Sequence, residues 1–315
     1  MSGAGVDAEK RTQDFIESAA RGLLTNKMIL EFIANGGAIN AVNSHGRTAL
    51  HLSLILKRQD VAALLLDHKA DALAKDNFGV TPLMHASVGG FVTLFDRILA
   101  TAPPSYINTA DLAGDTPLHL SLKCGHPDVA GLLLDHGADA LTKNKGKSTP
   151  LMQASAGGFV TLVARILAST SDFDINAADS DGRTALHFSL QSRHQDVAAL
   201  LLDHGAHALT VDRCGTTPLM EASAGGFVTL VDRILASAPC YINAADSDGQ
   251  TALHWSLKFR HQDVAALLLD RGANPLTVDR CRTTPLMEAS AGGFVTLVDR
   301  ILASAPCYIN AADSD

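Results

Sequence analysis

Thirteen histidines and five cysteines are the side chains of this sequence with the most chemistry to offer. Imidazoles and thiolates could hold zinc, and a histidine beside a nucleophile could act as a general base. Their spacing argues against both. His51, His119, His187 and His254 share one phase of a repeat; His126, His194 and His261 share a second; His68, His136 and His204 share a third. Members of one phase sit in alternate units, about 20 Å apart at ordinary helix-packing distances, too far to share an ion. Nucleophilic catalysis needs unlike groups converging once, whereas a repeat spreads like groups along its length. The cysteines form no CxxC pair and follow the same repetition, Cys214 matching Cys281 and Cys240 matching Cys307. They read as free thiols in a reducing compartment. The Gly-Gly steps beginning at Gly89, Gly157, Gly225 and Gly292 end helices rather than begin them, so they cannot cradle a phosphate. The expectation is a chain that is not an enzyme and carries no metal or cofactor.

The repetition itself is the main signal. The Thr before Pro-Leu or Ala-Leu recurs at Thr48, Thr81, Thr116, Thr149, Thr184, Thr217, Thr251 and Thr284, in steps of 33, 35, 33, 35, 33, 34 and 33 residues. Two types alternate. One carries His after the Leu, as in Gly182–Cys214; the other carries Met, as in Gly215–Asp248 (Met84, Met152, Met220 and Met287). The duplicated block is therefore a pair, and Thr216–Asp248 and Thr283–Asp315 are identical over all 33 residues. Each period predicts two short helices. Thr supplies an N-cap before proline at the first helical position, and Gly-Gly or a short polar stretch stops the first helix. The second starts near Gln195-Asp196, presents Val197, Leu200 and Leu201 on one face, and ends at Gly205 as a left-handed cap. Asn-, Asp-, Ser- and Gly-rich segments then form tight turns. Helices of about ten residues are marginal alone, so neighbouring units must stack into an all-α solenoid with nearest-neighbour contacts. Leu54, Leu122, Leu190 and Leu257 in one type face a phase held by Ser87, Ser155, Ser223 and Ser290 in the other, which predicts large-against-small packing.

Composition narrows the class. With 315 residues, 47% hydrophobic, 18% charged and a net charge of −8, the chain lacks the basic footprint of a nucleic-acid binder. Its start has no apolar core for a secretory signal and no run suits a membrane span. An intracellular, cytoplasmic protein is expected.

The stretch Gly114–Lys143, GDTPLHLSLKCGHPDVAGLLLDHGADALTK, resembles the ankyrin repeat: a T-P-L-H start, a Gly-His step, a V-x-x-L-L-L helix and G-A-D. The resemblance extends from about Arg11 to Asp315. It implies an all-α solenoid, an ankyrin-repeat array of helix–loop–helix units with short β-hairpin fingers, about nine units in all, and a role in binding proteins. It also makes the first-phase histidines turn-stabilising hydrogen-bonders. Residues 1–10 are expected as a disordered tail, 11–45 as a capping repeat, and 46–78, 79–113, 114–146, 147–181, 182–214, 215–248, 249–281 and 282–315 as eight repeats. Several positions depart from the family pattern. Lys147 and Arg282 stand where a turn Gly is expected, and Lys69 replaces a C-cap Gly. Tyr106, Phe173, Tyr241 and Tyr308 follow the second helix of Met-type units, either as edge-packing aromatics or as a docking row. The last unit lacks a polar cap, which predicts an array truncated at Asp315.

Fingers and first helices should line a concave face. Lys145, Lys147, Arg213, Arg280 and Arg282 make the fingers entering Met-type units basic; Asp181 and Asp248 make the alternating fingers acidic. Such stripes would select partner and register. One pair of first-helix positions drifts from unit to unit: Ile55-Leu56, Lys123-Cys124, Gln191-Ser192 and Lys258-Phe259. Ile55, Leu56, Phe259 and the fingertip Phe78 are candidate apolar anchors, with Lys258 beside them. Trp255 reads as core rather than contact. The expected function is a non-catalytic scaffold or adaptor for partner proteins, monomeric, with self-association possible through swapped repeats. The alternative is the targeting region of a larger enzyme or channel whose effector domain lies beyond Asp315.

Overall fold

A computed structural model describes residues 3–100, 102–169 and 174–304. The chain divides into two compact units, residues 1–150 and 151–315. The first holds α1 (Gly3–Ala20), α2 (Asn26–Ala34), α3 (Ala49–Ile55), α4 (Gln59–Asp67), α5 (Pro82–Gly89), α6 (Val92–Leu99), a 3-10 turn at Pro104–Asn108, α7 (Pro117–Lys123) and α8 (Pro127–Asp135). The second opens with α9 (Pro150–Ala156) and α10 (Val160–Ser169). It continues with α11 (Ala185–Gln191), α12 (Gln195–Asp203), α13 (Pro218–Gly225), α14 (Val228–Ser237), α15 (Ala252–Lys258), α16 (Gln262–Asp270), α17 (Pro285–Gly292) and α18 (Val295–Ser304). α1 takes in residues 3–10, assigned to the tail by the sequence. Phe173, Cys307 and Tyr308 lie outside the described residues.

Each helix pair starts and stops for local reasons. Thr48, Thr81, Thr116, Thr217 and Thr284 cap first helices, their hydroxyls accepting the amide three residues on. The second helices bury a narrow apolar stripe: Val61, Ala62 and Leu65 in α4, Val197, Ala198 and Leu201 in α12, Leu94, Phe95 and Ile98 in α6. Each large side chain so buried contributes about 1.5–3 kcal/mol. First helices stack on first helices, α3 on α5 on α7 and α11 on α13 on α15 on α17; second helices do the same, α4 on α6 on α8 and α10 through α18 by even numbers. Each unit is thus a two-layer all-α repeat stack whose core lies between layers and between neighbours.

Among the described residues the turns between pairs carry isolated β-bridges, at Val42–Thr48 and Ala245–Thr251, in place of strands. The cause is the turn itself. Its carboxylate or amide oxygen satisfies backbone amides that a strand partner would otherwise take.

First helices of the His type end in a Schellman motif with a left-handed residue at its pivot. Gly125 fills that pivot once, its amide reaching Leu122 O while the next amide reaches Ser121 O. Lys57, Arg193 and Arg260 fill it elsewhere, with φ of 58°, 63° and 67°. Lys69, Lys147 and Arg282 are also left-handed, at 62°, 58° and 61°. The Lys147 finger keeps the turn type of its Gly-containing equivalents, Lys147 N donating to Asn144 O at 2.8 Å. A β-carbon in this region costs about 1–2 kcal/mol. Lys57→Gly and Arg193→Gly are each expected to stabilise the fold by about 0.5–1 kcal/mol, since glycine's extra unfolded-state entropy offsets part of the gain. Urea unfolding curves of the single variants check this; a lower midpoint for both would show that no strain is stored there.

Candidate binding surface

Two sets of polar side chains, one mostly half-buried and one buried, position the surface. In the first, Asn or Asp at each turn uses one oxygen twice. Asp76 Oδ1 accepts from Phe78 N and Val80 N, both at 2.9 Å; Asp212 Oδ1 accepts from Cys214 N and Thr216 N, both at 2.8 Å. Asn43, Asp111, Asp179, Asp246 and Asp279 do the same. Within each unit, turns also donate to the preceding turn: Asn77 N to His45 O and Leu112 N to Phe78 O in the first, Arg213 N to Asp181 O and Arg280 N to Asp248 O in the second, at 2.8–2.9 Å.

The second set is the buried histidines. His51, His119, His187 and His254 each take a hydrogen bond on Nδ1 from the capping Thr hydroxyl, at 2.8–3.0 Å. Each then donates from Nε2 to a carbonyl 29 residues on, in the next turn: Val80, Ser148, Thr216 and Thr283, at 3.1–3.3 Å. A carbonyl can only accept, so Nε2 carries the proton and the ring is neutral. Burial, which penalises the charged form, lowers all four below the ordinary histidine range. In Met-type units the sulfur of Met84 and Met220 accepts the Thr amide, at 3.4 and 3.5 Å, but a thioether cannot donate onward. The clamp to the next turn is therefore made once per pair.

Five further histidines make structural contacts. His126, His194 and His261 begin second helices and donate from Nε2 back to Val88 O, Ala156 O and Ala224 O of the previous repeat, at 2.9–3.1 Å. Their rings lie over the second glycine of the Gly-Gly step. A β-carbon on Gly90, Gly158 or Gly226 would come within 2.6 Å of the ring. His136 and His204 turn Nδ1 to the carbonyl four residues back in their own helices. Among the described residues no group of three or more His, Cys, Asp or Glu side chains is placed to hold a metal ion.

What this frame leaves at the surface is the candidate site. Ile55 and Leu56 are 38% and 41% exposed, Phe78 50% and Phe259 44%. Lys145, Lys147, Arg213, Asp248, Lys258, Arg280 and Arg282 are exposed, and Asp181 is half-buried. The opposite charges expected as free stripes meet each other: Arg213 reaches Asp181 at 3.3 Å and Arg280 reaches Asp248 at 3.5 Å. Exposed pairs of this kind contribute at most about 1 kcal/mol, so a ligand charge can still compete for them. The Arg47 guanidinium lies 5.9 Å from the centre of the Phe78 ring. Trp255 is only partly buried; its indole N–H donates to Asp246 Oδ2 at 3.0 Å and its ring leans on Phe259, 6.0 Å between centroids. Tyr106 is buried and donates to Ala72 O at 2.5 Å, an edge-packing role; Tyr241 is half-buried.

Sequence reasoning weighed one column at its His-type positions, where Trp255 reads as core, and passed over its Met-type positions. The residue after the phase-defining His or Met is Leu52, His85, Leu120 and Gln153 in one run, then Phe188, Glu221, Trp255 and Glu288. Burial pushes Glu221 up to about 7, helped by the Asp212 charge and opposed by Arg183. It pushes His85 down to about 4, helped by His51. The signal available was variation at a fixed phase between invariant core positions.

Among the described residues no helix is long and apolar enough to cross a membrane. A family model described as ankyrin repeats in three copies matches residues 69–144, 140–212 and 208–279, and a single-repeat model matches 45–77. The chain is similar to human transient receptor potential cation channel subfamily A member 1, 32% identical over 208 residues, which is 64% of this chain and 18% of the channel. It is also similar to human Rabankyrin-5, 26% identical over 308 residues, 87% of this chain and 26% of that protein. A third relative is the E3 ubiquitin-protein ligase XBAT33 of Arabidopsis thaliana, 35% identical over 164 residues, 51% of this chain and 30% of the ligase. The aligned stretches span less than a third of each of these relatives.

Proposed function

The chain belongs to the ankyrin-repeat family, and we propose that it is a non-catalytic scaffold or adaptor that binds partner proteins along the face formed by its fingers and first helices. Nine units, a cap and eight repeats, would each add a finger and a first helix to that face. The observation that supports this reading is where variation falls. Capping threonines, clamp histidines and second-helix apolar stripes repeat unit after unit, while the exposed first-helix pair Ile55-Leu56, Lys123-Cys124, Gln191-Ser192 and Lys258-Phe259 drifts. Large apolar side chains left in water beside unmatched polar ones are the usual anchors of an interface. The net charge of −8 favours protein over polyanionic partners. A monomer in the cytoplasm is the working state.

The test is affinity capture by the parent chain and by Phe78→Asp and Phe259→Asp, at sites exposed enough to leave folding intact. At least tenfold lower recovery of a specific partner, with unchanged thermal unfolding, is expected for one or both. Equal recovery by all three chains would remove this face from consideration. Charge reversal of Arg213, Arg280 and Arg282 checks the charged fingertips in the same way. A second reading is supported by the relatives' lengths: in a channel and a ubiquitin ligase the similar segment is 18% and 30% of the protein. The repeats would then be the targeting region of a larger enzyme or channel with its effector beyond Asp315. Sequencing the transcript past codon 315 separates the two.

A further inference from the structure

The first helices α11, α13, α15 and α17 of the second unit stack in that order. They carry Phe188, Glu221, Trp255 and Glu288 at one phase, each half-buried. Ring, carboxylate, ring and carboxylate thus follow one another at about 10 Å, the spacing of packed helices. The finger carboxylates beside this column are answered within the molecule. Asp212 accepts two turn amides and lies 3.6 Å from Arg183, Asp246 takes the Trp255 indole N–H at 3.0 Å, and Asp279 takes the Gln250 side-chain amide at 3.4 Å. Glu221 and Glu288 receive no hydrogen bond and no ion pair among the described residues. The cation on α15, Lys258, donates to the neutral Gln250 Oε1 at 3.3 Å. A half-buried carboxylate without a partner costs stability, and burial with the Asp212 charge pushes Glu221 up to about 7. Packing does not demand a carboxylate there, since Gln153 holds the same phase in another Met-type repeat. What Glu221 lacks is a cation, and the rings on the two neighbouring helices offer faces that also attract one.

We infer that this column docks an extended basic segment of a partner protein, one arginine set on Glu221 between the Phe188 and Trp255 rings and a second on Glu288. The inference rests on the scaffold reading above and names the partner chemistry for it. A guanidinium stacks on an aromatic face while its fork meets a carboxylate; lysine brings a compact, strongly hydrated charge that gains less from the rings. Glu221 and Glu288 stand two helices apart, about 20 Å. An extended chain rises about 3.3 Å per residue, so the two arginines fall about six residues apart. An even separation puts both on one side of the strand. A basic segment also complements a chain whose net charge is −8.

Trp255 is the one tryptophan of the chain, so its emission reports docking without a label. The full chain at pH 8 is titrated with three Gly-Ser peptides of eleven residues: arginine at positions 3 and 9, arginine at 3 and 6, and glutamate at 3 and 9. The first is expected to shift the emission and to bind at least tenfold more tightly than the second, and the third not to bind. Glu221→Gln should weaken the first peptide at least fivefold while the variant's unfolding midpoint at pH 8 rises, a combination that a purely structural Glu221 would not give. Phe188→Leu, the residue found at this phase in Leu52 and Leu120, should weaken it at least threefold. Asp299→Asn, which removes a carboxylate from α18 in the other helix layer, should change the affinity by less than twofold. No response to the first peptide, or equal affinity for the first two, would overturn the proposal. Equal losses in Glu221→Gln and Asp299→Asn would reduce the attraction to net charge and overturn it as well. Capture of a partner that depends on Phe259 yet is unchanged by Glu221→Gln would overturn this inference while leaving the scaffold reading in place.

Discussion

Glu221→Gln is expected to raise the unfolding free energy at pH 8 by about 2 kcal/mol and to leave it unchanged below pH 4.5. Glu221 stands on α13 with its carboxyl half-buried, near the Asp212 carboxylate and, farther from balance, the Arg183 guanidinium. Burial is the larger cause of its shift from 4.5 to about 7, and Asp212 adds to it. The folded state therefore holds a proton that the unfolded chain releases. Stability from that proton is complete below pH 4.5 and is lost as pH rises through 7. The full difference corresponds to about 3 kcal/mol, reduced to about 2 because solvent reaches part of the side chain. Gln153 occupies the same phase in the neighbouring Met-type repeat, so the replacement is one the packing already accommodates. Urea titrations of parent and variant at pH 4.5 and pH 8 measure it. Parallel pH profiles would mean that Glu221 ionises freely in the fold.

Most of the frame was legible in the sequence because its causes are local. Thr before Pro-Leu is a cap wherever it occurs, Gly-Gly is a stop, and a stripe such as Val197, Ala198 and Leu201 needs a neighbour. What escaped the sequence depends on contacts about 30 residues away. Asp212 reads as one more turn residue; only the fold shows it accepting two amides and receiving Arg183 at 3.6 Å. Asp181 and Arg213 read as separate stripes of charge, and a distance of 3.3 Å makes them a pair. Lys147, Arg282 and Lys69 were recognisable as substitutes for glycine because the surrounding turn or cap is conspicuous. Lys57, Arg193 and Arg260 were not, since their helices end without Gly-Gly. Trp255 has an apolar helix pattern, yet its N–H finds a carboxylate on its own finger and the ring stays partly in water. The candidate binding residues are exposed or, at Asp181, half-buried, and spacing alone did not show which of their charges were already answered.

His85→Gln is expected to remove about 2 kcal/mol of the acid destabilisation that the parent shows between pH 7.5 and pH 5. The ring of His85 lies edge-on to His51, 5.7 Å between centroids, and its Nε2 is buried without a hydrogen-bond partner. Burial is the chief reason its pKa falls from 6.5 to about 4; His51 and Arg47 push the same way and Asp76 resists. The unfolded chain takes up a proton at 6.5 that the folded one refuses until about 4. Stability is thus complete above pH 6.5 and is lost as pH falls toward 4, at up to about 1.4 kcal/mol per pH unit. By pH 5 the loss from this residue alone is about 2 kcal/mol. Glutamine cannot titrate and is the residue at the same phase in position 153, so the variant should match the parent within about 1 kcal/mol at pH 7.5. An acid limb will remain, because His51, His119, His187 and His254 are also held neutral by burial. Unfolding curves at pH 7.5, 6 and 5 for both proteins separate the two contributions. If the variant lost stability in acid as steeply as the parent, His85 would have to be solvated or charged in the fold, and the clamp histidines alone would account for the sensitivity.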